Sequence, residues 1–252
     1  MDEAQFNKPA SAYSKDASRR GSRDKIFYPS LLKLIPSFTG KSVLDLACGD
    51  GSFSRVISKL NPSKVVAVDI SKDQIDKAIE LSGHQTVIKY INANACDIKH
   101  IDPFDIIIGN FFLHYAPSID DLKKYCKHIS LNLKPGGLFI GLNENPVKPI
   151  KDSKSFGVAV ECVDGVVHDS CTIRRTHYDS EGNELFNFTH RHFHLNTYEL
   201  SLRESGMYNV TWHKLRNMQH GDADDAMAKH WASYISQSTV SILSANKSLD
   251  DK

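Results

Sequence analysis

Nowhere do the 252 residues hold a run of about 18 to 20 apolar side chains, the length a membrane-crossing helix requires, and Met1 to Ala10 lacks the apolar core of a secretory signal. Neither a membrane span nor export is therefore expected, and the expected location is cytoplasmic. An excess of one charge is missing too, since 31 Lys+Arg against 30 Asp+Glu leave a net charge of +1. So small a field draws neither phosphate backbones nor anionic lipid, and Arg19, Arg20 and Arg23 form only a small basic cluster. No nucleic acid or membrane partner is expected. Cysteine is scarce: Cys48, Cys96, Cys126, Cys162 and Cys171 are odd in number and contain no CxxC pair, which points to reduced thiols. Internal repeats and low-complexity tracts are absent. What remains, 40% hydrophobic and 24% charged, describes one ordinary globular domain over 1–252. A chain of this length buries roughly 70 to 75% of its extended surface and needs no disulfide or metal to fold.

Met1 to Arg23 is polar and aperiodic, the pattern of a leader that stays flexible or orders on a ligand. Phe6 and Tyr13 are the aromatic residues within it, and they suit a lid over 1–36 that folds onto a bound molecule. Ile26, Phe27, Leu31, Leu32 and Leu34 then suit a helix stopping near Pro36. From Lys41 strand and helix alternate. Ser42 to Leu46, Lys64 to Ile70, Thr86 to Ile91, Phe104 to Ile108 and Leu138 to Leu142 are short apolar runs. Between them, Phe53, Val56, Ile57 and Leu60 recur at helical spacing. Ser71 with Gln74 resembles a capping box for a helix that buries Ile75, Ala78 and Ile79. Ser118 is placed to cap a helix with Leu122, Tyr125, Cys126 and Ile129 on one face, ended by Pro135-Gly136-Gly137. This order predicts an α/β fold, an open parallel sheet with helices on both faces. After Asn145-Pro146 the period changes. Val158 to Val163, His168 to Tyr178 and Glu184 to Leu195 look extended, with turn residues at Asp179 to Asn183, so an antiparallel insertion over 147–196 is predicted as a substrate cap. Thr197 to Glu204 reads as a helix, Met207 to Leu215 as a strand, and Ala226 to Ile235 as a late helix in a polar tail.

The most informative residues are Val43-Leu44-Asp45-Leu46-Ala47-Cys48-Gly49-Asp50-Gly51, where the first strand meets the first helix. Gly49 and Gly51 permit a tight turn that brings backbone amides to a ligand. Asp69, closing the second strand, is placed to accept hydrogen bonds from ribose hydroxyls. Together they point to a cofactor that contains a nucleoside, either a dinucleotide or S-adenosylmethionine. The third glycine of the dinucleotide fingerprint is replaced by Ser54, and Asp45 and Asp50 would repel a diphosphate while favouring an ammonium group. A cofactor without phosphates fits better.

Taken with Val66 to Ser71, Asn92 to Asp97, Phe104 to His114 and Leu133 to Gly137, the loop resembles the class I S-adenosylmethionine-dependent methyltransferases over about 43–142. The resemblance implies a doubly wound, mostly parallel seven-stranded sheet with an antiparallel insertion after the fifth strand. It also implies that Asp45, Ala47 and Gly49 line the methionine end, Asp69 and Ile70 hold the ribose, Asn94 and Ala95 border the adenine, and Asn110 lies near the sulfonium. Gly51 and Tyr13 complete the expected cofactor contacts. Many relatives carry Asp at the position of Asn94, which leaves the adenine contact to this amide, to Cys96 or to Asp97. Gly109 to Ala116, Phe156-Gly157-Val158 and the acidic segment from Asp222 to Trp231 look like the toxoflavin-type N-methyltransferase branch, which implies a small, flat, heteroaromatic acceptor.

Methyl transfer from a sulfonium needs alignment more than acid or base. Where the acceptor must lose a proton, His114 is the first candidate, placed after the fourth strand, with Tyr115 beside it to stack on a flat substrate. Otherwise both side chains pack the loop. His190, His192 and His194 share one face of a predicted strand, and His192 is the catalytic candidate among them. A polar pocket wall suits this face better than a metal, and no metal is expected. Arg191, on the opposite face, is expected in solvent. Glu144, just past the fifth strand, is a secondary candidate, and Trp212 and Trp231 are read as packing. Methylation of nitrogen or oxygen in a small molecule is the expected activity. The alternatives are a nicotinamide-dependent reductase and a silent cofactor-binding protein.

Overall fold

The computed structural model describes residues 21–84, 86–98, 103–147, 157–216 and 225–249. The leader residues Phe6, Tyr13, Arg19 and Arg20 lie outside them. A π-helical turn, Arg23–Phe27, runs into helix α1, Tyr28–Leu32. There follow β1 Ser42–Leu46, α2 Ser52–Ser58, β2 Lys64–Asp69, α3 Lys72–Ser82, β3 Ile88–Asn92 and β4 Phe104–Ile108. Helix α4, Ile119–Asn132, leads directly into β5, Leu133–Glu144. Strands β6 Val158–Cys162, β7 Cys171–Tyr178 and β8 Glu184–His192 come next. The described chain closes with α5 Leu195–Glu204, β9 Met207–His213, α6 Asp225–Gln237 and β10 Val240–Lys247.

Seven strands form one sheet in the order β3-β2-β1-β4-β5-β10-β9. The pairs from β3 to β5 are parallel, and β10 runs antiparallel to both β5 and β9. The alternation of strand side chains divides the interior in two. Leu44, Leu46, Val66, Val68 and Ile107 face one core with Leu122, Cys126, Ile129 and Leu202. Val43, Val65, Ala67, Ile106 and Ile108 face the other with Ile26, Leu31, Phe53, Ile57 and Trp231. Both faces are thus covered, as continuous apolar strands demand. A separate three-stranded antiparallel sheet, β6-β7-β8, is built from the segment between β5 and α5. This is the fold expected, a doubly wound, mostly parallel sheet with an antiparallel insertion.

Both capping serines act as expected: Ser71 Oγ accepts from the Gln74 amide at 3.3 Å and Ser118 Oγ from the Asp121 amide at 3.1 Å. Four readings need correction. Ile79 is 53% exposed, because α3 turns Gln74, Ile75, Ala78 and Ser82 inward instead. The third strand starts at Ile88 rather than Thr86. Pro135-Gly136-Gly137 lies inside β5, where pairing slips from Phe104↔Leu133 to Ile106↔Leu138. The polar tail holds a whole strand, β10, whose Val240, Ile242, Leu243 and Ala245 are buried.

Ile242→Ala should cost about 2 to 5 kcal/mol in urea unfolding, since it truncates a fully buried side chain of the tail strand. Ile79→Lys should stay within about 0.5 kcal/mol of the parent.

Candidate functional site

The sheet order reverses beside β1, whose two neighbours are β2 and β4. Loops leaving the carboxyl ends of adjacent parallel strands separate at such a point and leave a crevice. Here it is a cavity of about 270 Å³. One wall comes from the loops after β1, β2 and β3 and carries Asp45, Ala47, Gly49, Asp69, Ile70, Asn94 and Ala95. Asn110 after β4 also lines the cavity, and Ser22, Arg23, Phe27 and Tyr28 reach it from the amino-terminal turn and α1.

The loop after β1 is held by charge and backbone shape. Asp69 is 9% exposed, and its two oxygens accept from the Gly49 amide at 2.8 Å and the Ser71 amide at 2.9 Å. Each oxygen keeps a second lone pair, so the brace leaves Asp69 able to accept from a ligand hydroxyl. Asn92 Nδ2 donates to the carbonyls of Asp69 and Ile70 at 3.1 and 2.8 Å, which fixes the end of β2. Ala47 holds φ 56°, a left-handed conformation uncommon for a residue with a Cβ. At Gly51, φ 70°, an added Cβ would meet Tyr90 Oη at 2.5 Å. Gly51 therefore serves packing behind the loop, while Gly49 faces the cavity.

Asp45 is 1% exposed and accepts from Ser54 Oγ at 2.5 Å. Burial pushes its carboxyl up to about 7; the Ser54 hydrogen bond opposes this and nearby Asp69 adds to it. Burial raises Asp69 as well, against its backbone hydrogen bonds. A wall with two buried acids, and with Ser54 where a diphosphate would need a third glycine, suits hydroxyl and ammonium groups and repels phosphate. Asn94 Oδ1 accepts from the Cys96 amide at 3.1 Å, so the amide is oriented beside Ala95 on the cavity wall, and Cys96 and Asp97 are not among the lining residues.

The other wall joins Phe111, His114, Tyr115 and Glu144 to the small sheet, from which Val158, Arg175, His177, Phe186, Phe188 and His190 line the cavity. His114 is 3% exposed, and its Nδ1 lies 3.2 Å from Asn143 Oδ1. Burial, with Arg175 adding, lowers His114 to about 3, against the Asn143 hydrogen bond. His190 is lowered well below its usual value by burial, then by His114 and Arg175. Both imidazoles are neutral near pH 7. His192, the catalytic candidate among the strand histidines, is buried but does not line the cavity, and its Nδ1 sits 3.5 Å from Glu144 Oε2. The residue at the cavity from that face is His190. His194 is exposed at the start of α5. Arg191 is not simply solvated, since it donates to Thr172 Oγ1 at 2.7 Å. No cluster of His, Cys, Asp and Glu suited to a metal occurs among the described residues.

Arg175, His177, Phe186 and Phe188 had not been singled out. The signal was present as period-two alternation: His177 pairs with Phe186 and Arg175 with Phe188, which puts all four on the face that continues to His190. Trp231 is 6% exposed in the core, in keeping with a packing role. All five cysteines are unpaired, and no helix among the described residues is long and apolar enough to cross a membrane.

The strand order, with the glycine loop at the crevice, is that of the class I methyltransferase fold. The family model described as a methyltransferase domain matches residues 43–137. Phosphoethanolamine N-methyltransferase 1 of Arabidopsis thaliana is 33% identical over 140 residues, 54% of this chain and 28% of the relative. The 2-methyl-6-phytyl-1,4-hydroquinone methyltransferase of Synechocystis sp. is 28% identical over 102 residues, 40% of this chain and 31% of that protein. The chain thus spans less than a third of these curated relatives. A putative S-adenosylmethionine-dependent methyltransferase from Listeria monocytogenes shares the fold, with TM-score 0.62 and 23% identity over 87% of this chain and 96% of that one.

Two pH effects follow. An ammonium group beside Asp45 favours its ionised form, so affinity for S-adenosylhomocysteine, whose amino-acid end carries one, should fall as pH drops below about 7, by up to about tenfold per unit. Calorimetry should show proton release on binding near pH 7, and Asp45→Asn should abolish both. His114 and His190 have folded values below their unfolded ones, so their contribution to stability is complete above about 6.5. It is lost as pH falls below that, for His114 down to about 3, at up to about 1.4 kcal/mol per unit. Denaturation of His114→Asn across pH 4 to 7 should show a shallower loss than the parent.

Proposed function

We propose that this chain transfers a methyl group from S-adenosylmethionine to a nitrogen or oxygen of a small, flat molecule, mainly by holding the two reactants in line. The observation that carries the reading is one cavity with two chemically different walls, acids and a glycine loop on one and aromatic rings and neutral imidazoles on the other. The bound cofactor supplies an already activated methyl group. Asp45 and Gly49 hold its amino-acid end, Asp69 and Ile70 its ribose, and Asn94 with Ala95 its base. Asn110 Oδ1 accepts from the Leu142 amide at 3.0 Å, which fixes the loop between the two walls. Tyr115 meets Phe188 and His190 of the small sheet, with ring centroids 6.1 and 6.2 Å apart, while Phe111, at φ 54°, lies against Phe27.

In this reading the segment 147–196 selects the acceptor by shape, and a heteroaromatic acceptor of the toxoflavin type is supported by the aromatic lining of Phe186 and Phe188. Alignment supplies most of the acceleration, because positioning alone is worth up to roughly 7 to 11 kcal/mol of barrier. His114, at the cavity with its Nδ1 on Asn143, accepts a hydrogen bond from the acceptor through Nε2.

A thermal-shift titration tests the cofactor. S-adenosylhomocysteine at about 100 times its Kd adds about 2.7 kcal/mol, which should raise the midpoint by roughly 5 to 10 °C. NADH should leave it unchanged, and Asp69→Ala should remove most of the rise. A rise with NADH alone would sink the methyltransferase reading in favour of a reductase.

A further inference from the structure

Two side chains of opposite charge type sit at the second wall, Arg175 with no carboxylate beside it among the described residues and Glu144 with two histidine rings near it. Arg175 lines the cavity from β7, and its guanidinium donates to Thr239 Oγ1 at 3.0 Å. Among the described residues no carboxylate forms an ion pair with it. Glu144 is 3% exposed, and its Oε2 makes no hydrogen bond. The groups nearest Oε2 are His192 Nδ1 at 3.5 Å and His190 Nδ1 at 3.7 Å. A half-buried guanidinium at a cavity with no carboxylate beside it is placed to take an anionic group from a ligand.

Hydrogen-bond chemistry then fixes the tautomer of His190. Its Nδ1 faces the Arg191 carbonyl at 3.2 Å and the Glu144 carboxylate, both of them acceptors, so Nδ1 carries the proton. The nitrogen left for the cavity is Nε2, with a free lone pair. His114 is set the same way: Asn143 Nδ2 donates to the Glu144 carbonyl at 3.1 Å, so Asn143 Oδ1 accepts from His114 Nδ1. The difference lies behind the rings. His114 is backed by an amide, whereas His190 is backed by a carboxylate that stabilises a transient imidazolium. Above them, His177 and Phe186 stack at 4.6 Å and 17°, and Phe186 and Phe188 lie 17° from parallel. Together these rings give the cavity wall flat surface on which a planar molecule can stack.

Resting on the methyl-transfer reading, we propose that the acceptor is a flat ring bearing an anionic group held by Arg175 and the N–H or O–H that becomes methylated, and that His190 Nε2 takes that proton. Glu144 is the positioning residue behind His190. As the N–H or O–H proton passes to Nε2, the heteroatom's electron pair forms the new bond to the methyl carbon. The carbon–sulfur bond breaks with its pair on sulfur, leaving the neutral thioether, and the imidazolium then returns its proton to water. No oxidant or metal is required. The titratable and charged groups facing His190 are Glu144 from β5, Arg175 from β7, His192 on its own strand, and His114 and Tyr115 from the turn after β4.

The test uses the full chain, S-adenosylmethionine and a panel of hydroxybenzoates and hydroxynicotinates, each beside its methyl ester and the parent ring lacking the acid, with S-adenosylhomocysteine formation as readout. At least one acid should turn over with kcat/KM tenfold or more above its ester and parent ring. Arg175→Met should erase that preference by lowering the acid alone. His190→Gln should lower kcat by about 10² to 10⁴ with little change in KM, and ring-fluorinated acids, whose hydroxyls lose the proton more easily, should recover part of the loss. Glu144→Gln should lower kcat less and move the pH limb of kcat/KM downward, because His190 loses the charge that favours its protonated form. Esters as fast as acids, a preference that survives Arg175→Met, or an equal loss for fluorinated and plain acids would overturn the proposal. So would a protein that S-adenosylhomocysteine stabilises but that converts no acid of the panel. Absence of that stabilisation would instead bring down the methyltransferase reading itself.

Discussion

The carboxylate of Asp69 is the point on which the cofactor wall depends. Its two oxygens tie the amide of Gly49, in the loop after β1, to that of Ser71, at the start of α3. Two loops that leave adjacent parallel strands are thereby held at a fixed spacing, and Asn92 extends the brace to β3 through the Asp69 and Ile70 carbonyls. Burial alone would favour the neutral acid, and the backbone donors counter it, so the group remains an acceptor facing the crevice. Without this brace the left-handed turn at Ala47 and Gly49 would have little to hold it against relaxation.

The cavity is divided electrostatically as well as by shape. On the loop side buried acids prevail, and Asp45 sits near the middle of its titration at neutral pH, poised for a cation to ionise it. On the cap side burial keeps His114 and His190 neutral. A neutral imidazole is a proton acceptor that needs no prior deprotonation, whereas a charged one would repel a cationic cofactor in the same enclosed space. The lowered histidines and raised acid are therefore consistent with one another. Each group avoids a charge that the closed site could not solvate until a ligand arrives.

Much of this was legible in the sequence, for a physical reason. Short apolar runs and serine caps are local signals, and β1, β2, β4, α3 and α4 lie where those signals put them. The glycine loop, Asp69 and Asn94 were likewise legible, because a tight turn between strand and helix requires particular residue types. What escaped depended on distant partners. β10 has its apolar run interrupted by Ser241 and Ser244, and it becomes a strand because β5 and β9 pair with it on either side. Ile79 fits the helical period, yet α3 buries Ile75 and Ala78 and leaves Ile79 on its exposed side. The cap residues were hidden differently: the alternation of Arg175, His177, Phe186 and Phe188 was readable, but the face turned to the cavity was not, and hence His190 rather than His192 lines it.

That division between local and distant determinants explains how such a scaffold separates its tasks. The cofactor wall uses backbone geometry, Gly49, Ala47 and the end of β2, and little of it could change without disturbing the central strands that also build both cores. The acceptor wall is carried by side chains on a three-stranded sheet that contributes its own small cluster, Val160, Cys171 and Ile173. Its cavity face can be altered at Arg175 or Phe188, both only half-buried, without touching a core position. Glu144 and Asn143 are where the two meet, since β5 belongs to the large sheet while its last residues back His190 and His114. In the proposed reading, a change of acceptor would be sought in the hairpin β7-β8, with Glu144 retained so that an entering ring still meets an oriented imidazole.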